Sequence, residues 1–171
     1  MVGNMLLERS QYFGYLETLL HQRLPAHQLV VRHLGWPADT VTLQPRPDNF
    51  ADVEQHLYHE RADVILAAFG FNESFDGADG LPKFSAALRD YVAKLKSTAF
   101  NDRSGPQIVL LSPIANENVQ GVLAADMNNQ QIEMYASVVR DIASESEVGF
   151  IDLFNPTLQA MKSPGSDLTI S

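Results

Sequence analysis

The sequence contains no cysteine, and this absence limits both its chemistry and its ligands. Without thiols the 171-residue chain forms no disulfide, uses no thiolate nucleophile and holds no metal through cysteine. Basic residues are also few, since 12 Lys and Arg stand against 21 Asp and Glu and give a net charge of -9. Nucleic acids and anionic membranes are therefore not expected as partners, because both are bound through clustered positive charge.

Long apolar runs are missing as well. No stretch approaches the roughly 20 apolar residues that a membrane-spanning helix needs, and the start of the chain lacks the basic and apolar regions of a signal peptide. We predict no membrane span, no signal peptide and no cofactor in this chain, and the sequence indicates neither compartment nor oligomeric state. Its length and its 45% apolar content suit one domain with a real core.

Apolar segments of strand and helix type alternate along the chain. Strands are predicted over Gln28–Leu34, Asp63–Gly70, Gln107–Pro113 and Val148–Leu153. Helices are predicted over Ser10–Arg23, Pro82–Ser97, Asn129–Ser146 and Asn155–Lys162, with a further helix that carries Phe50, Val53 and Leu57 and is capped by Asp48 or Asn49. Such alternation, with strands apolar on both faces, predicts an α/β fold in which helices cover both sides of a parallel sheet.

In sheets of this kind ligands bind beyond the carboxyl ends of the strands. The predicted loops at those ends are Gly35–Pro47, Gly70–Gly80 and Ser112–Met127, and they hold the candidate site residues. Only two residues precede Gly3, so we expect the first strand of the sheet to be missing.

Three segments carry a family resemblance: "VGNMLLERSQYFGYLETLL", "VRHLGWPADTV" and "FGFNES". Together they resemble the blocks of the SGNH hydrolases, also called GDSL esterases, and most closely the domains of large multidomain planctomycete-type bacterial proteins. The resemblance spans nearly the whole chain. It implies a three-layer, flavodoxin-like sheet of order 2-1-3-4-5 and the hydrolysis of an acyl ester of a small molecule or carbohydrate.

The resemblance also implies roles for residues of the second and third blocks. Asn72 matches the asparagine whose side chain donates to the oxyanion, although an asparagine after a strand-ending glycine is also common turn chemistry. Ala38 stands where the family usually has a glycine whose backbone N–H binds the oxyanion, and Gly35 is an alternative three residues earlier. Asp39 and Thr40 are expected to tie this loop together through local hydrogen bonds.

The first block departs from the family, because Gly3-Asn4-Met5 replaces Gly-Asp-Ser. Met5 falls at the nucleophile position, where a thioether cannot attack an ester or give up a proton. Three other serines lie outside that position and are expected to be structural: Ser10, Ser74 and Ser112.

The family's base is also missing from the sequence. All five histidines precede Asn72, and the chain ends at "SDLTIS", before an Asp-x-x-His segment would follow. The histidines are His21, His27, His33, His56 and His59. Only the last two have a helical spacing that could serve a metal, and with no cysteine and only Glu54 and Glu60 nearby we predict no metal site. We expect residues 1–171 to form one domain that is incomplete at both ends and has negligible esterase activity.

Asn116 and Glu117 lie in the third loop, where they either touch substrate or are simply solvated. Three hypotheses remain open at this point. The chain is a piece of an esterase domain, a non-catalytic descendant that binds carbohydrate or protein, or a domain that shares the fold alone and uses its loops as an interaction face.

Overall fold

A computed structural model describes residues 1–118 and 124–162. It confirms the predicted α/β fold, since these residues form one sheet of parallel strands in the order β1-β2-β3-β4. The strands are β1 (Val2–Gly3), β2 (Val64–Ala68), β3 (Gln107–Leu111) and β4 (Gly149–Ile151).

Six α-helices and one 3-10 segment connect and cover these strands within the described residues. They are α1 (Met5–Ser10), α2 (Tyr15–Arg23), α3 (Val53–His59), the 3-10 segment Glu73–Gly80, α4 (Leu81–Ser97), α5 (Ala125–Glu145) and α6 (Phe154–Met161). Of the helices predicted from the sequence, α4 and α6 each begin one residue earlier than expected, and α5 begins at Ala125 rather than Asn129.

Two details of the predicted helices are wrong. The helix expected over Ser10–Arg23 begins only at Tyr15, because Ser10 is the last residue of α1 and Gly14 adopts a left-handed conformation (φ 63°) just before α2. The cap of α3 is Asp52, not Asp48 or Asn49. Asp52 accepts a hydrogen bond from the Gln55 backbone while the Gln55 side chain accepts one from the Asp52 backbone, a capping box that satisfies two donors at the helix start.

The expectation that the first strand is missing is also wrong, because β1 is present as two residues. Val2 and Gly3 pair in parallel with Ala67 and Ala68 of β2. Gly3 has φ 133°, and a Cβ there would lie 2.1 Å from the Ala68 carbonyl oxygen, so only glycine allows this approach.

The strand predicted over Gln28–Leu34 is not a regular strand, but its end runs along the free side of β1. The Met1 amino group donates to the Arg32 carbonyl (2.8 Å), Leu34 N–H donates to the Met1 carbonyl (2.9 Å), and Trp36 N–H donates to the Gly3 carbonyl (3.0 Å). This alternation is that of a parallel ladder. Residues 32–36 therefore extend the sheet on the side of β1 that faces away from β2. In the sequence this segment comes after β1 and before β2.

Helices lie on both faces of the sheet. Side chains of a strand alternate between faces, and Ile65 and Leu110 pack in the larger core with residues of α3, α4 and α5. On the other face Ala68 and Leu111 pack with Leu7 of α1. No helix among the described residues is long and apolar enough to cross a membrane.

Candidate functional site

Three chain segments meet at the carboxyl end of β1 and β2. Gly3 and Ala68 are register partners, so the residues that follow them leave the sheet at the same edge. The third segment, residues 35–46, is joined to the first by the hydrogen bond from Trp36 N–H to the Gly3 carbonyl. The sequence-predicted first, second and third blocks are thus brought together in space.

The first block forms the start of α1. Asn4 is buried and caps this helix, since its Oδ1 accepts from Leu6 N–H (3.2 Å) while its own N–H donates to the Ala68 carbonyl (3.2 Å). Met5 is the first residue of α1, and its side chain is 44% exposed. The position that the family resemblance predicts for the nucleophile is therefore partly open to solvent and carries a side chain with no O–H or N–H group.

The second block is held by a buried ion pair that the sequence did not reveal. Both oxygens of Asp39 accept from the Arg46 guanidinium, at 2.8 and 2.9 Å, and almost none of either side chain is exposed. Arg46 also donates to the Leu34 carbonyl (3.0 Å) and lies 4.7 Å from the centre of the Trp36 ring. Residues 34–46 are fixed as one unit around this pair, which extends the local hydrogen bonds expected of Asp39.

Ala38 and Gly35 differ in what surrounds them. Ala38 is exposed, its φ is negative, and its N–H has no acceptor within the described residues, as is also true of Met5 N–H. Gly35 is buried, and a Cβ on it would lie 2.7 Å from the Gly3 carbonyl oxygen and 3.1 Å from that of Asn4. A glycine at position 35 is therefore required by the close approach of this segment to β1.

The third block is tied to the second through Asn72. Its side-chain Nδ2 lies 2.9 Å from the Pro37 carbonyl oxygen and 2.9 Å from that of Asp39. Both amide hydrogens thus have acceptors in the second block. Donation from this amide to a bound ligand requires one of the two carbonyls to be released.

Glu73 joins the same two blocks, and sequence reasoning did not single it out. Its Oε1 accepts from Val41 N–H (2.9 Å) and its Oε2 accepts from Gly70 N–H (2.8 Å). Burial raises the pKa of Glu73, against the opposite effect of these backbone donors. The only sequence signal was its place after Asn72 in "FGFNES", which does not distinguish a bridging carboxylate from a solvated one.

Ser10, Ser74 and Ser112 all bond to backbone groups, and Ser10 Oγ also lies 3.2 Å from His33 Nδ1, whose Nε2 lies 2.8 Å from Glu17 Oε1. Ser112 is fully buried and accepts from Leu153 N–H (2.8 Å) and Phe154 N–H (3.0 Å). Ser74 donates to the Phe71 carbonyl and Ser10 to the Leu7 carbonyl.

The remaining predicted site residues of the third loop lie beside helices α5 and α6. Asn116 exchanges backbone bonds with the Asn129 side chain (2.7 and 3.0 Å), and with Glu117 it lines a small cleft of about 160 Å³ beside α6. Two predicted features lie outside the described residues. They are part of the predicted loop Ser112–Met127 (119–123) and the "SDLTIS" end, where the sequence predicts that the base segment is missing. Among the described residues no three His, Asp or Glu side chains group in a way that could hold a metal.

The fold of this chain is similar to that of several solved structures. The chain is similar to a single-residue variant of Axe2, an acetyl xylan esterase from Geobacillus stearothermophilus: TM-score 0.65, 23% identity, 89% of this chain and 67% of that one. It is also similar to the acetyl xylan esterase AlAXEase, with TM-score 0.66 and 18% identity over 93% of this chain and 80% of that one. At these identities the likeness shows the fold.

The sequence itself settles the family. Residues 7–169 match the GDSL-like lipase/acylhydrolase family, and the chain therefore belongs to it. No curated protein matches the chain.

Proposed function

We propose that this chain is an esterase-type domain whose ligand is an acyl ester of a carbohydrate or small molecule, and that it does not hydrolyse that ester. One observation carries the proposal: Met5 stands at the start of α1, exposed at the carboxyl end of β1, where the family resemblance places the attacking serine. The carbohydrate part of the proposal is supported by the similarity to two acetyl xylan esterases. The likeness to multidomain planctomycete-type proteins stays a prediction.

The chemistry of Met5 explains the expected inactivity. Acyl transfer needs a nucleophile that a base can deprotonate, and a thioether sulfur has no proton to lose. The backbone N–H groups of Met5 and Ala38 have no acceptor within the described residues, so donors for a carbonyl oxygen remain even where the nucleophile is absent. Binding without turnover is the expected result.

The test is the hydrolysis of p-nitrophenyl acetate by the purified chain, with heat-unfolded chain as the control. We expect no turnover above the control. We expect none from Met5→Ser either, because no histidine of these 171 residues follows the third block. Turnover by the wild-type chain above the control contradicts the inactivity, and turnover by Met5→Ser contradicts the missing base.

A second candidate function is a binding module with no remaining link to the reaction. The engagement of both Asn72 amide hydrogens by the Pro37 and Asp39 carbonyls favours it, because this leaves the amide as part of the scaffold. The two functions differ in the effect of Asn72→Gln on binding of an acetylated sugar. If Asn72→Gln loses binding of the acetylated sugar alone, the esterase-type domain is supported. If this variant binds acetylated and plain sugar equally well, the binding module is supported.

A further inference from the structure

We propose that the cleft beside α3 binds the sugar chain of the ester, with Phe50 of its lining and the neighbouring Trp36 ring as the stacking surface; this rests on the proposed carbohydrate ligand. The cleft has a volume of about 520 Å³, within the roughly 300–1,000 Å³ usual for small-molecule sites. It is lined by Asn49, Phe50, Ala51, Gln55, His56 and His59.

The aromatic rings of this region are exposed and adjoin one another. Phe50 is 52% exposed and Trp36 37%, and their ring centroids lie 6.1 Å apart. The His56 ring lies 5.5 Å from that of Phe50 and extends the surface along α3. Adjoining exposed aromatic rings of this kind mark interaction sites more often than isolated apolar side chains do.

Trp36 is held in place before any ligand arrives. Its backbone N–H donates to the Gly3 carbonyl (3.0 Å), and the Arg46 guanidinium lies 4.7 Å from the ring centre. Arg46 is itself fixed by its buried pair with Asp39. A ring that is already ordered loses little conformational entropy on binding, which favours affinity.

The polar lining indicates an uncharged ligand. Among the described residues that line the cleft there is no Asp, Glu, Lys or Arg, and the polar side chains are the amides of Asn49 and Gln55 and the imidazoles of His56 and His59. An amide both donates and accepts, and an imidazole ring offers two nitrogen atoms for hydrogen bonds, which suits the hydroxyl groups of a sugar. An anionic ligand lacks a fixed cation here, since Arg46 is almost fully buried against Asp39 and the chain carries a net charge of -9.

A sugar ring has the two surfaces that this lining can bind. Its C–H groups can pack on the negative face of an aromatic ring, and its hydroxyl groups can reach amide and imidazole partners. The cleft is connected to the candidate site through Phe50, because the Phe50 ring neighbours that of Trp36, and Trp36 N–H donates to the Gly3 carbonyl at the end of β1. A sugar chain lying beside α3 would therefore lead to the segments that hold Met5 and Asn72.

The test is calorimetric titration of the 171-residue chain with xylohexaose, which has no ester, and with cellohexaose as a second probe. We expect saturable binding of at least one hexasaccharide, with a saturable change in the fluorescence of Trp36, the only tryptophan. We expect Phe50→Ala to weaken binding about tenfold and His56→Ala to weaken it less. Tyr15→Ala, which removes a 75% exposed aromatic ring on α2, is the matched control and leaves binding unchanged.

Each result decides one claim. If neither hexasaccharide binds, the sugar site is wrong whatever the ester assay shows, and if binding survives both Phe50→Ala and His56→Ala, the sugar binds elsewhere and the placement is wrong. Turnover of p-nitrophenyl acetate contradicts only the proposed inactivity, because the hexasaccharides carry no ester. Thermal melting of each variant confirms that it is folded, as expected for Phe50, which is more than half exposed.

Discussion

The first and second blocks lie side by side at the carboxyl end of the sheet, and they differ in the side chains that they carry. In the second, Asp39 and Arg46 form a buried, two-point ion pair, and Gly35 fits closely against β1. In the first, Asn4 still caps α1 and bonds to β2, yet the next residue is a methionine. The arrangement of these blocks therefore depends on backbone and buried polar contacts, whereas the proposed loss of the reaction concerns one side chain that those contacts do not require.

We expect the largest loss of stability when the buried ion pair of the second block is broken. Arg46→Ala leaves the Asp39 carboxylate buried without its partner, and we expect the free energy of unfolding to fall by about 3–5 kcal/mol. Urea unfolding measures this loss. Arg140→Ala is the control, because its pair with Asp141 is exposed on both sides, and we expect a change within about 0.5 kcal/mol. Equal losses in the two variants would mean that the buried pair does not hold this loop.

A smaller loss is expected at the contact between the two blocks. Gly35→Ala places a methyl group 2.7 Å from the Gly3 carbonyl oxygen, and such overpacking costs about 1–3 kcal/mol. Ala38→Ser changes an exposed residue of the same loop, and we expect a shift within about 0.5 kcal/mol. Thermal unfolding of both variants compares them directly, and a neutral Gly35→Ala would remove the proposed reason for the glycine.

Asn72 tests the link between the second and third blocks. Asn72→Ala removes the donor shared by the Pro37 and Asp39 carbonyls, and we expect a loss of about 1–2 kcal/mol. Asn72→Asp is expected to lose more at neutral pH, because a carboxylate would face two carbonyl oxygens. Gln130→Ala, an exposed amide on α5, is the control in urea unfolding. If Asn72→Asp is as stable as wild type, the amide does not join the two blocks.

The smallest effect concerns pH and Glu73. Burial raises the pKa of Glu73 above its ordinary value of 4.5, so the folded state favours its protonated form. The stabilising contribution of such a group is present below its unfolded pKa and is lost as pH rises through the folded pKa. The unfolding free energy of wild type minus that of Glu73→Gln should therefore fall as pH rises above 4.5, measured by urea unfolding at several pH values. A difference that is constant or rises with pH contradicts this.

The fold was largely readable because its signals are local. Apolar runs predict strands β2 and β3, and helical periodicity predicts helix α4. The observed bounds of all three lie within a few residues of the predicted ones. The break at Gly14 was missed because apolar residues continue on both sides of it, although Phe13 and Leu19 prove more than half exposed. The two-residue β1 was missed because its pairing with β2 is a long-range contact that no pattern of two residues can indicate.

Only those residues of the candidate site that belong to a family motif could be predicted from the sequence. The sequence placed Met5, Ala38 and Asn72 in the three blocks that the fold brings together. It could not show that Arg46 pairs with Asp39, or that Glu73 bridges two loops, because both depend on how loops distant in sequence lie against each other.

We propose that this chain binds a carbohydrate ester and leaves it intact. The most direct test is a proton NMR spectrum of acetylated xylohexaose mixed with the chain and followed over time, since one sample reports both binding and reaction. We expect saturation transfer from the protein to the sugar ring protons, with the acetyl signals constant and no free acetate. Growth of the free acetate signal above a protein-free sample, or no saturation transfer at all, would contradict the account.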